Sequence, residues 1–508
     1  PELFNSIIKR LAPLIAELTE AQRSMLTGWL GQAPKSLFLQ VVVAFQQFIT
    51  IYVYQFRCID DNIAAATRVL GVLNQANDDA ALIAVKEFYN DAINELVDFH
   101  EDYQRWKDRE RCSFSFCAHP FILEPSTKAK ILQMDSASQM RTEILRGALF
   151  RNYLSGNEQP YLILKVRRDH LIADTLTQIA MRGGDLKKPL KVIFEGEEGI
   201  DEGGVQKEFF QLIVRRIFDP RYGMFVFDPD HHTVWFNESS LENDREFHLI
   251  GMVLGLAIYN GVILDVHFPL VVYKKLMGLP TTFADLAVSF PALGRGLQHL
   301  LDFEGDVEDV FCRTFQVSVE RYGEVATVDL KPGGGDLSVT SENRQEYVDL
   351  YVHWMLNDAI SRQFSAFAAG FQAVAGGAAL QMFRPLELEL LICGNPTLDF
   401  HALEAVAMCE DGYDRTSRVI LDFWQVVHEM SPEQQKKLLF FCTGSDRAPI
   451  KGLTSMNFVI SRNGPDSDRL PTAHTCFNHL LLPAYSTKEK LQERLLTAIN
   501  NSEGFGLM

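Results

Sequence analysis

From Ser36 to Phe56 the chain reads SLFLQVVVAFQQFITIYVYQF, 21 residues without a formal charge. A stretch this long and apolar has two physical resting places, the hydrocarbon of a bilayer or the middle of a helical bundle. Gln40, Gln46 and Gln47 separate the two readings. In lipid each amide would lose its water at a cost of roughly 2–7 kcal/mol, whereas neighbouring helices can hydrogen-bond it. The flanking sequence supplies such neighbours. In KEFYNDAINELVDFHEDYQRW, Phe88, Ile93, Leu96 and Phe99 recur near the helical period. Residues 1–155 are therefore expected to form an all-helical region with Ser36–Phe56 as one of its buried helices. The proline-bearing stretch CSFSFCAHPFILEPSTKAK interrupts it.

From Leu162 the texture changes. Short β-rich runs, YLILKVRR and PLKVIFEG, alternate with amphipathic helical stretches such as VQKEFFQLIVRRIF and VVYKKLMG, an α+β pattern. MFVFDPDHHTVWFN reads as two strands joined by a turn at Asp228 to His231. A second change follows LELLICGNPTLDF, where Gly394, Asn395 and Pro396 stand together, turn and linker chemistry before a new helix. The expected organisation is residues 1–155, 156–393, a hinge at 394–397, and a small unit at 398–508. Within that last unit Ser431-Pro432-Glu433-Gln434 signals a capped helix start and Gly444 its stop. MNFVIS reads as a strand, the apolar LLLP after Cys476 as a buried one, and Ser486 with Glu489 as a capping box for the final helix.

At 508 residues the chain is long enough for two to four cores. It carries 48 Lys and Arg against 66 Asp and Glu, a formal charge of -18, and that field repels phosphate backbones and anionic membrane surfaces. Neither nucleic acid nor a membrane is expected as a partner. Eight cysteines spread along this length suit a reducing compartment and free thiols. The opening PELFNSIIKR, with no initiator Met, reads as the start of a piece of a longer protein.

The cysteines divide by their surroundings. Cys58, Cys312, Cys393 and Cys442 lie among hydrophobic residues, where a thiol is an ordinary core group. Cys112, Cys117 and His119, and the pair His231 and His232, each lack the second compact ligand pair that zinc requires, so no metal and no cofactor is expected. Cys476, in LPTAHTCFNHLLLP, lies at the end of a polar loop. If that loop is extended, the period of two puts His474, Cys476 and Asn478 on one face, giving the thiol an imidazole neighbour that promotes the thiolate. A papain-like Cys-His-Asn hydrolase cannot be built, because only 32 residues follow Cys476. An acyl carrier can, since a small unit behind a hinge presents a thiol to successive partners. A plain buried cysteine at the start of a strand is the remaining alternative.

LPTAHTCFNHLLLPAYSTKEKLQERLLTAI resembles the C-terminal lobe of HECT-domain ubiquitin ligases, and the resemblance extends through FEGEEGIDEGGVQKEFFQLIVRRIFDPRYGMF, LIGMVLGLAIYNGVILDVHFPLVVYKKLMG and TGSDRAP, over about Leu162 to Met508. It implies a bilobed HECT domain, with a larger, mostly helical N-lobe, a flexible hinge and a smaller α/β C-lobe, behind the helical region. The activity implied is a two-step transfer: ubiquitin passes from a conjugating enzyme to Cys476 as a thioester and then to a substrate lysine, directing substrates to the proteasome. Family roles fall on Cys476 as nucleophile, with His474 and Thr475 beside it; on Arg168, Glu208 and Asp265 as polar N-lobe residues important for transfer; and on Phe505 as an assisting aromatic near the C-terminus. Conjugating-enzyme docking falls on Leu293 and Leu297, and on Tyr347 and Tyr351, each pair four apart on a predicted helix. The implied partners are ubiquitin, a conjugating enzyme and protein substrates, in cytoplasm and nucleus. The family leaves open the proteasome and a second copy of the chain as partners. A catalytically inactive, substrate-binding HECT scaffold is the alternative that an intact Cys476 and Phe505 argue against.

Overall fold

The computed structural model describes the chain apart from Pro1, Cys58, 109–113, 155–159, 198–203, Asp230, His232, Tyr322 and 502–508. Cys112, His232 and Phe505, singled out above, therefore lie outside the described residues. Two compact units are present: residues 1–137 with 378–383, and residues 138–377 with 384–508. This division falls inside the helix Pro125–Leu154, whereas the sequence places the break after it.

The first unit is helical. Helices Glu2–Ala16, Glu20–Gly31, Lys35–Phe56 and Asp61–Ala80 come first, followed by the shorter Asp91–Leu96 and Phe99–Lys107. Lys35–Phe56 is the one helix among the described residues long and apolar enough to cross a membrane by length and composition. It turns Phe38, Val42, Phe45, Phe48, Ile49, Tyr52 and Val53 into the core of this unit. Its half-buried Gln46 is satisfied within the bundle, whereas Gln40 and Gln47 are exposed. The Gln46 amide donates to the carbonyls of Glu87 and Phe88, and Asn90 donates to the Gln46 side-chain oxygen at 2.7 Å and to Thr50 at 3.0 Å. This is the buried-helix reading, with Leu37, Ile51, Tyr54 and Phe56 left on an outer flank. The irregular stretch after residue 113 is organised by one buried carboxylate. Asp102 accepts from Ser115 Oγ at 2.8 Å and from the backbone amides of Phe116 and Cys117 at 3.2 and 3.0 Å, fixing the start of the 3-10 turn Phe116–Ala118.

In the second unit, strands β1 (Leu162–Val166) and β2 (Leu190–Phe194) pair in parallel, and β3 (Phe225–Asp228) and β4 (Thr233–Phe236) form the hairpin read from the sequence. Helix Asp244–Tyr259, buried almost throughout, crosses helix Ser361–Ala375 at very close range. A Cβ on Gly251 or on Gly370 would meet the backbone carbonyl oxygen of Phe367 or His248 at 1.8 and 1.9 Å, so only glycine admits the crossing. Residues 279–356 add the helices Phe283–Ser289, Pro291–Asp302, Val307–Phe311 and Arg344–Leu356, and the hairpin of β5 (Gln316–Arg321) and β6 (Glu324–Asp329).

After Gly394 a separate core forms. Its buried members run from Phe400 to Ile499, among them Leu403, Phe423, Trp424, Leu438, Cys442, Leu480, Leu482, Leu491 and Leu495. The residues sit on four helices and a sheet ordered β7 (Met408–Glu410), β8 (Val459–Arg462), β10 (His479–Leu482), β9 (Thr472–His474). β8 pairs in parallel with both β7 and β10, and β9 runs antiparallel on the edge. Ser431 and Gln434 make the expected capping box, and Gly444 closes that helix with φ +77°. Two details differ from the sequence reading. Thr487, not Ser486, caps the last helix, its side chain accepting from the Lys490 amide, so the expected box with Glu489 is absent. The short strands β7 and β9, three residues each, carry too little alternation to be read from sequence.

Candidate active site around the Cys476 turn

Cys476 lies in a 3-10 turn, Thr475–Phe477, that joins β9 to β10; for this residue the structure describes the backbone. The extended loop expected from the spacing is not present. His474 is the last residue of β9 and pairs across the sheet with His479, and Asn478 adopts φ +50°, ψ +44° to close the turn. The period-two argument fails because the backbone reverses direction within these residues, so His474, Cys476 and Asn478 do not share a strand face. His474 and Phe477 are exposed, and Thr475 is half-buried. The His474 ring lies 6.0 Å from that of His479, whose Nε2 is 2.7 Å from the Ser461 hydroxyl.

The turn packs against the helix Gly204–Ile217. A Cβ on Gly444 would lie 2.8 Å from Gln211 Nε2 of that helix and 3.8 Å from the Thr475 Cβ, so the three residues meet at one point. Glu208, one turn before Gln211, accepts from Arg168 Nη1 at 2.7 Å. The other edge of the Arg168 guanidinium forks onto Glu197, with Nε to Oε1 at 2.5 Å and Nη2 to Oε2 at 2.9 Å. Its face lies over the Phe194 ring at 4.2 Å. Hydrogen bonds to Glu197 and then Glu208 push the guanidinium further up, and the bond from Arg168 holds the Glu197 carboxyl down. The structure thus brings Arg168 and Glu208 together in one ion pair, with Glu197 as a third member that the acid-rich EGEEG did not single out.

Asp265 belongs to a different chain of contacts. Arg447 donates from Nη2 to His267 Nδ1 at 3.0 Å, so the imidazole carries its proton on Nε2, which faces Asp265 Oδ1 at 2.9 Å. This bond holds the Asp265 carboxyl below its ordinary range, while its side chain stays two-thirds exposed, at 67%. The contacts join residues before Gly394 to TGSDRAP after it. The backbone does the same: Asn395 N donates to Ala448 O at 2.7 Å, and Ala448 N returns the bond at 3.0 Å. Gly394 has φ +73° and ψ 175°, and a Cβ there would sit 2.7 Å from Ala448 O.

A family model described as HECT-domain (ubiquitin-transferase) matches residues 211–508. Two proteins named probable E3 ubiquitin-protein ligase HECTD2, from Mus musculus and Homo sapiens, are each 41% identical over 99% of this chain and 68% of their own length. The probable ligase HERC4 of Mus musculus is 36% identical over 99% of this chain and 51% of its own. The chain belongs to the HECT family. It is accordingly a ubiquitin transferase, and its α+β architecture is that of the family. The probable ligase mug30 of Schizosaccharomyces pombe, at 39% over 88% of the chain and 59% of its own length, carries the similarity to a fungal relative.

Within the HECT domain the candidate docking pairs are only partly at the surface. Leu297 is 6% exposed and Tyr347 4%, both committed to the interior of the 279–356 subdomain, where Tyr347 packs edge-on against Phe315 at 5.6 Å. Leu293 and Tyr351 are half-buried and retain exposed surface. The spacing of four put each pair on one helical face, but that face turns inward at one member of each pair. Of the other residues bearing on the site, Glu197, His267, Arg447 and Gln211 lay outside the sequence reading. His267 alone had a local signal, two residues beyond Asp265 in ILDVHF.

Proposed function

We propose that this chain carries ubiquitin on Cys476 and passes it to substrate lysines. The Cys476 thiolate attacks the carbonyl carbon of ubiquitin's C-terminal glycine on a conjugating enzyme, and that enzyme's thiolate leaves. A lysine amine then attacks the new thioester, Cys476 leaves as thiolate, and the amine gives up its proton. The observation that carries this reading is the position of Cys476 in the β9–β10 turn beside the helix that bears Glu208. Cys117, Cys393 and Cys442 are buried, and burial pushes each thiol up, Cys393 to about 12.

The remaining roles follow from the same geometry. Arg168 fixes Glu208 and Glu197 against the helix under the turn, a positioning role. Asp265, with its carboxyl held low by His267, is ionised at neutral pH and suits attracting and orienting an incoming ammonium group more than keeping its proton. His474 and Thr475 flank the nucleophile. Phe505, outside the described residues, is assigned its assisting role from the family resemblance. Residues 156–393 and 398–508 act as two lobes, and 394–397 as the hinge between them; the Asn395–Ala448 pair and the Arg447–His267 contact hold one position of that hinge. Conjugating-enzyme docking uses the exposed edges of Leu293 and Tyr351. The likeness of Lys86–Tyr103 and Phe114–Lys128 to the region ahead of the HECT domain in the Angelman-syndrome ligase supports placing the chain beside that protein within the family. Proteasomal delivery of the products, action in cytoplasm and nucleus, and assembly with a second copy rest on the family resemblance alone.

Incubation with ubiquitin and its activating and conjugating enzymes tests the reading. A reductant-sensitive ubiquitin adduct is expected on the wild-type chain and not on Cys476→Ala. An adduct that survives Cys476→Ala removes the mechanism, and no adduct on the wild type favours the inactive scaffold.

A further inference from the structure

In the C-terminal core, away from the contacts of the Cys476 turn, two histidines and a carboxylate gather between two helices. His401 and Glu404 stand three residues apart on the helix Phe400–Val406 and share a face. His428 is in the last turn of the helix Arg418–Glu429, with Nε2 at 2.7 Å from Glu404 Oε2. The imidazoles of His401 and His428 stack with centroids 3.8 Å apart and planes at 15°. Nitrogen and carboxylate donors of the three residues all lie within 4.8 Å of one another. One turn back on the second helix, the buried Trp424 ring lies 6.2 Å from that of His428 and walls the cluster on its inner side.

We propose that His401, Glu404 and His428 form a binding site for a divalent zinc-class cation. Two imidazole nitrogens and a carboxylate oxygen are the ligand chemistry of zinc and its neighbours, with water completing a four-coordinate shell. Bonds of about 2.0–2.2 Å place tetrahedral ligands about 3.4 Å apart, so on binding the Glu404–His428 pair opens from 2.7 Å and His401 swings in to bring donors now within 4.8 Å closer. His401 is exposed, which leaves its ring free to turn, while His428 and Glu404 are half-buried and already in contact. The cation replaces the Glu404–His428 bond with a bridge between the two helices. The helix carrying His401 begins shortly after 394–397, so the bridge stiffens the exit of that segment. Tightly spaced as the ligands are in three dimensions, His-x-x-Glu followed 24 residues later by a single histidine has no compact second pair to signal it in sequence.

Cobalt(II) is the probe. The full chain, stripped with a chelator and freed of it, is titrated with Co2+ while visible absorption and tryptophan emission are followed. The expected result is saturable, one-to-one binding with the d–d bands of a four-coordinate site, no thiolate-to-cobalt charge-transfer band, and displacement by Zn2+. Emission falls with the same midpoint, and Trp424→Phe abolishes that quench while leaving the d–d bands. His401→Ala and Glu404→Gln each weaken Co2+ binding by at least about tenfold, with circular dichroism unchanged. The proposal is overturned if the wild type gives no saturable d–d absorption, if both variants bind as it does, or if the band that appears is a thiolate charge transfer.

Discussion

Arg168 is gripped by two carboxylates on different segments, Glu197 at 2.5 Å and Glu208 at 2.7 Å, and is 36% exposed, so solvent screens much of the attraction. Arg168→Ala should cost only about 0.2–1 kcal/mol in urea denaturation, yet leave two like charges facing each other beside the turn. In single-turnover discharge it should slow transfer from the charged protein more than it slows charging. Arg168→Lys should not rescue transfer, because an ammonium cannot fork onto two carboxylates; full rescue would reduce the role to charge alone. The neighbouring Arg167 makes a separate fork on Asp174, and its hydrogen bonds hold that carboxyl at about 2. A carboxyl lowered by folding stabilises above its unfolded value near 3.9, and that contribution disappears as pH falls through the folded one. The stability gap between wild type and Asp174→Asn, measured by urea denaturation across pH, should thus be constant above about pH 5 and close on acidification toward about 2. A gap that persists at the acid end would contradict the pairing. Resemblance singled out Arg168, Glu208 and Asp265 as polar residues important for transfer; the first two meet in one ion pair, and Asp265 pairs with His267 instead. Their partners were not legible, since Glu197 reaches Arg168 from 29 residues away and Arg447 reaches His267, the partner of Asp265, from 180.

Among the elements, the helix Pro291–Asp302 shows how spacing informs and misleads. Its apolar face was visible in PALGRGLQHLL, but sequence cannot tell a face that meets its own subdomain from one that meets a partner. Leu297→Asp buries an unpaired charge and should cost at least about 3 kcal/mol, so a loss of charging in this variant would accompany a lowered thermal midpoint. Leu293→Asp should change stability by less than about 1 kcal/mol and still slow charging by the conjugating enzyme. Equal charging of Leu293→Asp and wild type would move docking away from this helix. The hinge segment makes a second case. Gly-Asn-Pro was legible as turn chemistry, while the reason for glycine came only from space: φ +73° with ψ 175° is a conformation that other residues scarcely adopt, and Ala448 O leaves no room for a Cβ. Gly394→Ala should cost about 1–3 kcal/mol by thermal denaturation. An unaltered midpoint would show that the segment relaxes without strain.

At the scale of the molecule, periodicity separated the helical first unit from the α+β remainder, and the apolar helix Lys35–Phe56 took its place in a bundle where Phe38, Phe45 and Phe48 are buried and Gln46 finds partners. Two features had no sequence signal. Residues 378–383 belong with the first unit although more than 200 residues separate them from it in the chain, and the Cys476 turn lies between strands too short to alternate. The same turn that broke the extended-loop reading is what the transfer reading rests on. Intact-mass measurement of the chain after charging tests it most directly. The account predicts one ubiquitin, lost on treatment with thiol reductant, localised after proteolysis to the peptide holding Cys476, and made reductant-resistant in Cys476→Ser as an oxyester. Ubiquitin found instead on Cys312 or Cys409, or a wild-type mass unchanged by charging, would contradict it.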